Sequence, residues 1–241
     1  MLAAEAAALL LVEFEGADAD ALDATVAQAV ASLTPLALDL HTASTAGEHD
    51  QLWAVRHAAS PLLARLGESR RSLQVIEDAC LPPACLGDYL EAVEAASRRH
   101  AIPSVAFGHA GDGHVHVNLM PDLTREGWED EVTALYQEIT HTVLRLGGVL
   151  SGEHGDGRLR APWLEATYGP AMMMLFRAVK AAFDPHGILN PGVKLPDGSP
   201  PISHLKVGGG AVELPGDIAA GLREIELLGD YGRWRMELVG E

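Results

Sequence analysis

The sequences GHAGDGHVH at residues 108–116 and SGEHGDG at residues 151–157 are the most informative stretches of this chain. In the first stretch, closely spaced glycines flank histidines. In the second, they flank an adjacent Glu-His pair. Because glycine adopts positive φ easily but loses much backbone entropy on folding, clustered glycines indicate tight turns or a ligand close to the main chain. Imidazole nitrogens and carboxylates suit a borderline divalent ion. We therefore predict one active site that contains His109, His116, Glu153 and His154.

The alternative is that these histidines are ordinary surface or core residues, since the chain contains 11 of them. A lone histidine is usually structural, whereas two histidines, a Glu-His pair and matching glycine turns point jointly to a site. His109 and His116 have neither the spacing of a zinc finger nor that of a His-Glu-x-x-His helix. The site must therefore be assembled from strands and turns, and the residues alone leave both interpretations open.

Hydrophobic periodicity predicts alternating strands and helices. In the segment after the first glycine turn, period-two alternation places His114, His116 and Asn118 on one strand face. The predicted strands are 7–15, 36–41, 71–78 and two within 104–120, and the predicted helices are 18–33, 48–65, 87–100, 128–146, 162–183 with a break at 169–170, and 218–228. This order predicts an α+β fold, a largely antiparallel sheet with helices packed on one face. We predict one domain at 1–196 and a Pro/Gly-rich tail with a short helix at 197–241.

The composition is that of a compact and strongly acidic globular chain. Its 241 residues are 48% hydrophobic with a mean hydropathy of +0.09, which allows one sizeable core. The formal net charge of -17 disfavours binding to nucleic acid or to anionic membrane surfaces, because both require clustered Lys and Arg. Cys80 and Cys85 are too few for a disulfide framework or a four-thiolate iron–sulfur cluster. With no basic leader before Arg56 and no transmembrane stretch, we expect a cytoplasmic protein.

A family resemblance rests on three motifs in order, the two glycine-rich segments and FDPHGILNPG at residues 183–192. Together they resemble the substrate-binding C-terminal domain of the FAD-linked oxidases. This family includes glycolate oxidase, D-lactate dehydrogenase and D-2-hydroxyglutarate dehydrogenase. The resemblance runs from about Leu10 to about Leu195, and IED at residues 76–78 resembles the large members fused to iron–sulfur domains. It implies oxidation of a D-2-hydroxy acid with electron transfer to FAD.

The resemblance also implies roles for individual residues. His154 would be the general base, and Arg56 and Asn118 would bind the substrate. Asn190, in the turn before Pro191, would approach the flavin. A divalent ion, zinc or manganese, would be held by His109, His116 and Glu153.

Two positions depart from the family pattern. Members that act on hydroxydicarboxylates carry a lysine where this chain has Ile76, and the first lysine of this chain is Lys180. The identity of the 2-hydroxy acid is therefore open. His114 stands where the family usually has Asn. A fourth metal ligand is one interpretation, but a polar residue at the rim of the site that replaces the polar Asn is the favoured one.

The chain carries no dinucleotide fingerprint, so FAD is expected to be held mainly by a domain absent from this chain. The expected partners are a 2-hydroxy acid, an FAD-binding domain or subunit and, as one candidate electron acceptor, an iron–sulfur protein. By itself the chain is expected to be inactive, whether it is a subunit, a truncation or an excised domain. Two alternatives remain open: a free-standing metal-binding module or metallohydrolase that uses the same His/His/Glu set, and a non-catalytic docking subunit.

Overall fold

The computed structural model describes residues 6–64, 66, 69–202, 205, 207–208, 211 and 213–228. By its internal contacts the chain divides into two compact units between Leu62 and Leu63. The helices are α1 (Ala19–Leu33), α2 (Ala46–His57), α3 (Ala59–Ala64), α4 (Leu86–Arg99), α5 (Trp128–Arg145), α6 (Leu164–Phe183) and α7 (Gly216–Leu228). The strands are β1 (Ala79–Cys80), β2 (Ser104–His109) and β3 (His114–Leu119).

The helices α1 and α2 begin at residues whose side chains accept hydrogen bonds from free backbone N–H groups of the first turn. The Asp18 carboxylate accepts a hydrogen bond from the Ala21 N–H at 3.1 Å and so caps α1. Thr45 and Glu48 form a reciprocal capping box at the start of α2. The single helix predicted at 48–65 is wrong in one respect, because it is divided at Ala58 into α2 and α3.

The two strands predicted in the first unit are also wrong. The described residues 7–15 and 36–41 form no strand, although both contain runs of apolar side chains. Leu10 is 65% exposed and Leu36 is 83% exposed, so these side chains lie on no buried sheet face. A strand requires a neighbouring strand to satisfy its backbone, and an apolar run alone does not supply one.

The second unit contains a three-stranded antiparallel sheet in the order β1-β3-β2. β2 and β3 form a hairpin in which His109 lies opposite His114 and Phe107 lies opposite His116. The turn between them ends at Gly113, whose φ is 67°. A Cβ atom at this position would lie 1.9 Å from the Leu81 carbonyl oxygen, so only glycine fits here. The strand predicted at 71–78 is reduced to one isolated pairing, that of Leu73 with Leu119, and regular pairing starts at Ala79.

β3 is buried on both faces and connects the core to a polar cluster. Val115, Val117 and Leu119 belong to the hydrophobic core, whereas His114, His116 and Asn118 alternate with them, as the period-two pattern predicts. The core side of β3 is completed by residues of α4 and α5, among them Tyr89, Val93, Ala96, Val132, Leu135, Ile139 and Val143. The predicted α+β fold with an antiparallel sheet is therefore confirmed.

The last two helices follow the predicted pattern. α6 contains Gly169 at φ 79° next to Pro170, which is the break expected within 162–183. α7 lies where a short helix was expected at 218–228. In the described part of the chain, the helices fall short of the length and apolar content needed to cross a bilayer.

Leu119 provides a test of the core. Its side chain is fully buried on β3, so Leu119→Ala removes core contacts and leaves a cavity. We expect the free energy of unfolding to fall by about 2–5 kcal/mol. Leu227→Ala, at a position that is 87% exposed on α7, is the matched control and should change the unfolding free energy little. Equal urea midpoints for the two variants would contradict this assignment of the core.

Candidate active site

The carboxylate of Asp78 organises the site from a fully buried position just before β1. One oxygen accepts hydrogen bonds from His114 Nε2 at 2.9 Å and from the Glu153 N–H at 3.1 Å. The other oxygen accepts hydrogen bonds from Ser151 Oγ at 2.7 Å and from the His154 N–H at 3.0 Å. Asp78 therefore joins β3 to the second glycine-rich turn.

These contacts decide the charge of Asp78. Burial raises the pKa of the Asp78 carboxyl, but the four hydrogen bonds outweigh burial and lower the pKa from 3.8 to about 2. Asp78 is therefore ionised at neutral pH and accepts hydrogen bonds through both oxygens.

His116 and Glu153 face one another across the site. His116 Nδ1 donates to the Glu77 carbonyl oxygen at 2.7 Å, and His116 Nε2 lies 3.2 Å from Glu153 Oε1. The backbone contact assigns the ring proton to Nδ1 and leaves the Nε2 lone pair directed toward the carboxylate of Glu153. A histidine held in this way is oriented as a metal ligand usually is.

His109 and His114 complete the group. Their ring centroids lie 5.7 Å apart, and the centroids of His109 and His116 lie 5.8 Å apart. Four residues each offer one potential ligand atom, and these atoms all lie within 4.8 Å of one another. The four residues are His109, His114, His116 and Glu153. The structure thus brings together the three residues predicted as metal ligands and adds His114 to them.

His154 lies beside this group and is about half exposed. Its Nδ1 is 2.5 Å from Glu77 Oε2, and its ring stacks on that of His116 with centroids 5.3 Å apart. Because the Glu77 carboxylate accepts the Nδ1 proton, Nε2 keeps a free lone pair and lies 3.5 Å from Glu153 Oε1. This arrangement allows His154 to accept a proton at Nε2.

Three residues of the site, Glu77, Asp78 and Arg160, were given no role by the sequence. Glu77 is buried, and its second oxygen accepts a hydrogen bond from Arg160 at 2.7 Å. Arg160 is also buried and donates to the Gly155 carbonyl oxygen at 2.8 Å. The sequence feature that could have indicated Glu77 and Asp78 is that they are consecutive acidic residues shortly before two prolines. The family resemblance includes both acids but gives neither of them a role.

A second candidate cation group consists of Glu77, Asp78, His116 and His154. In this group both carboxylates already accept hydrogen bonds from protein donors, Asp78 from four and Glu77 from Arg160 and His154. These acids therefore fit a supporting role around the site better than direct metal binding.

Asn118 is placed next to the histidines on the polar face of β3. It is 2% exposed, and its Oδ1 accepts a hydrogen bond from Ser72 Oγ at 2.9 Å. Its Nδ2 is buried and has no hydrogen-bond partner among the described residues. Because an unpaired buried donor is costly, this amide is suited to a ligand oxygen.

Arg56 and Asn190 are the other two residues for which the sequence predicted a role. Arg56 is half-buried on α2 in the first compact unit. Asn190 is exposed and adopts a positive φ of 44° in the turn that follows α6. That turn is fixed by Asp184, whose carboxylate accepts hydrogen bonds from the Ile188 N–H at 3.0 Å and the Leu189 N–H at 2.9 Å. The predicted roles of Arg56 in substrate binding and of Asn190 in flavin binding remain predictions.

The class to which this fold and site belong follows from comparison with known proteins. The sequence profile of the family described as FAD linked oxidases, C-terminal domain, matches residues 1–193. The chain therefore belongs to this family, as its motifs predicted.

Several characterised proteins are similar to the chain. The D-lactate dehydrogenase of Archaeoglobus fulgidus is 35% identical over 188 residues, which are 78% of this chain and 39% of that protein. The GlcD subunit of glycolate oxidase from Bacillus subtilis is 35% identical over 156 residues, 65% of this chain and 32% of the relative. D-2-hydroxyglutarate dehydrogenase of Escherichia coli is 32% identical over 192 residues, 76% of this chain and 19% of the relative. The chain thus spans less than two fifths of the length of each relative.

The buried charge of Asp78 gives a pH-dependent prediction. A carboxyl whose pKa is lowered on folding stabilises the protein above the unfolded pKa of 3.8, and this stabilisation is lost as the pH falls toward 2. Asp78→Asn should lower the free energy of unfolding by on the order of 2 kcal/mol at pH 7. The difference from wild type should shrink below about pH 4.

Asp88→Asn, at an exposed position in the first turn of α4, is the matched control. Its effect on the free energy of unfolding should be small at every pH. The measurement is urea unfolding of the three proteins from pH 7 to pH 3. A difference between Asp78→Asn and wild type that stays constant over this range would rule out the proposed role of the carboxylate charge.

Proposed function

We propose that this chain is the substrate-binding and metal-binding part of a flavin-dependent D-2-hydroxyacid dehydrogenase. The observation that carries this proposal is the convergence of His109, His116 and Glu153, with His154 and its Glu77 partner immediately beside them. Membership in the FAD-linked oxidase family supports flavin as the electron acceptor. The names of the relatives support a small 2-hydroxy acid as the substrate class.

The donor set fits a divalent ion such as Zn²⁺ or Mn²⁺. Two imidazoles and one carboxylate are ligands that zinc sites commonly use, and they leave further positions on the ion open for a substrate. His116 is already oriented through its Nδ1 contact with the Glu77 carbonyl oxygen. When bound, the ion would supply charge stabilisation for an ionising substrate hydroxyl group, and FAD would supply the two-electron acceptor.

The protein side chains would position the substrate and move one proton. His154 Nε2 would accept the proton of the substrate hydroxyl group, while the Glu77 carboxylate holds the Nδ1 proton and fixes the ring. Arg160 holds Glu77 in place through its own hydrogen bond, so the base is supported from a buried position. Imidazole suits this role because it exchanges protons near neutral pH.

The substrate carboxylate would be recognised by donors of this chain. The unpaired Nδ2 of Asn118 supports such a role, because it is a buried donor close to His116 in sequence and on the same strand face. Arg56 would add a guanidinium that can grip a carboxylate with two hydrogen bonds. By the family resemblance, Ile76 stands where members that act on hydroxydicarboxylates carry lysine, so lactate-like or glycolate-like monocarboxylates are the proposed substrates.

The flavin would be held mainly by a partner domain or subunit, and Asn190 would face it from a turn that Asp184 fixes. An iron–sulfur protein is a candidate for the next electron acceptor. The proposed division into a 1–196 domain and a 197–241 tail is supported by the family match, which ends at residue 193. A cytoplasmic location is supported by the two free thiols, Cys80 and Cys85.

The metal assignment is tested by elemental analysis of the purified chain. We expect about one divalent ion per folded chain and a thermal midpoint that falls when a chelator is added, because an ion that binds only the folded state stabilises it. His116→Ala should lose the ion and the chelator effect. His141→Ala, at an exposed histidine on α5, is the matched control and should keep both. Equal metal content in the two variants would refute the assigned site.

The proposed base is tested in the protein joined to its FAD-binding part. His154→Ala should slow reduction of the flavin by a 2-hydroxy acid by roughly 10²–10⁴-fold, because a general base acts in the transition state. The metal content should stay near that of wild type, since His154 is assigned no metal bond. Stopped-flow absorbance and elemental analysis give the two readouts. Loss of the ion together with the activity would instead make His154 a metal ligand and contradict the assigned division of roles.

A further inference from the structure

We propose that His114 is a fourth protein ligand of the metal ion and binds it through Nδ1. This inference rests on the metal site of the proposed function but not on the oxidation of a hydroxy acid. It changes the donor set from two imidazoles and one carboxylate to three imidazoles and one carboxylate. The four residues are those whose potential ligand atoms lie within 4.8 Å of one another.

The hairpin places His114 next to His109 and His116. It pairs directly with His109 across the β2–β3 ladder and precedes His116 by two residues on the same strand face. The ring centroids of His114 and His116 are 4.5 Å apart. His114 is only 5% exposed, so its ring is held within the protein and not at a solvated rim.

The second nitrogen of His114 is held as a metal-binding histidine requires. Nε2 donates to the Asp78 carboxylate at 2.9 Å, which assigns the ring proton to Nε2 and leaves the Nδ1 lone pair free. Asp78 is itself fixed by Ser151 Oγ and two backbone N–H groups, so the ring is oriented before any ion binds. A carboxylate–histidine–metal arrangement of this kind also raises the basicity of the ligand nitrogen.

The neighbouring backbone is shaped to this ring. A Cβ atom at Gly152 would lie 2.7 Å from both Cδ2 and Nε2 of His114. A side chain at residue 152 would therefore displace the ring or break its contact with Asp78. The glycine in the second turn is thus explained by close approach of the main chain to the imidazole.

A fourth protein ligand has a consequence for the choice of ion. An additional imidazole favours ions such as Zn²⁺ over Mn²⁺, which prefers oxygen ligands. An ion held by four protein ligands can still receive substrate oxygens, because zinc can expand to five ligands and an ion that accepts six keeps two positions. His114 should therefore strengthen binding of zinc more than binding of manganese.

The first test compares metal affinities of the full chain by competition with a chelator. His114→Asn keeps a side chain that can hydrogen-bond to Asp78 but removes the ring nitrogen, and we expect the affinity for Zn²⁺ to fall at least about tenfold. The affinity for Mn²⁺ should fall by a smaller factor. His141→Asn is the matched control and should bind both ions as wild type does.

The outcomes separate this inference from the wider proposal. If His116→Ala weakens zinc binding and His114→Asn does not, the inference is wrong and the three-ligand site stands. If neither variant weakens zinc binding, the metal site itself is wrong and the inference falls with it.

The second test needs no substitution in the folded protein. Long-range ¹H–¹⁵N spectra of the wild-type chain, recorded while Zn²⁺ is added, report the state of each histidine nitrogen. We expect His114 to keep its proton on Nε2 while its Nδ1 resonance moves to the position of a metal-bound nitrogen. An unchanged Nδ1 resonance of His114, alongside a shifted Nε2 resonance of His116, would overturn the inference.

Discussion

The buried carboxylate of Asp78 is the constraint on which the site depends. Its two oxygens accept four hydrogen bonds, which join His114 of β3 to the side chain and backbone of the turn at 151–154. A buried charge is stable only when such donors surround it, so its four partners are held in one arrangement. The same contacts place the Glu153 and His154 side chains, because each of these residues donates its backbone N–H to Asp78. One ionised side chain thus converts two distant glycine-rich segments into one site.

Glu77 and Arg160 extend this organisation one layer further into the protein. Both are buried, and their hydrogen bond leaves the second oxygen of Glu77 free to hold His154. Removing one partner of a buried ion pair leaves an uncompensated charge, so the pair resists rearrangement even though its net contribution to stability is small. The Glu77 backbone also serves the site, because its carbonyl oxygen fixes the ring of His116. Consecutive residues of one short segment therefore orient the proposed base and three of the four proposed ligands, His114, His116 and Glu153.

How much of this could be predicted from the sequence depends on the range of the interactions. The helices α1, α4 and α5 were predicted within a few residues, because hydrophobic periodicity is a local signal. The strands expected at 7–15 and 36–41 were wrong, since an apolar run does not specify a pairing partner.

The same distinction applies to the site. His109, His116, Glu153 and His154 were selected as candidate site residues because glycines flank them, whereas Glu77 and Arg160 act through a contact between residues 83 positions apart. The exposure of His114, His116 and His154 matches the roles proposed for them, while His109, also a proposed ligand, is exposed. His114 and His116 are buried and fixed by acceptors, which suits ligands that must hold one geometry. His154 is fixed at Nδ1 yet about half exposed, and a base that must reach a substrate proton requires both properties. A purely structural cluster would have no need to keep one ring accessible while Glu77 and Arg160 fix it from the protein interior.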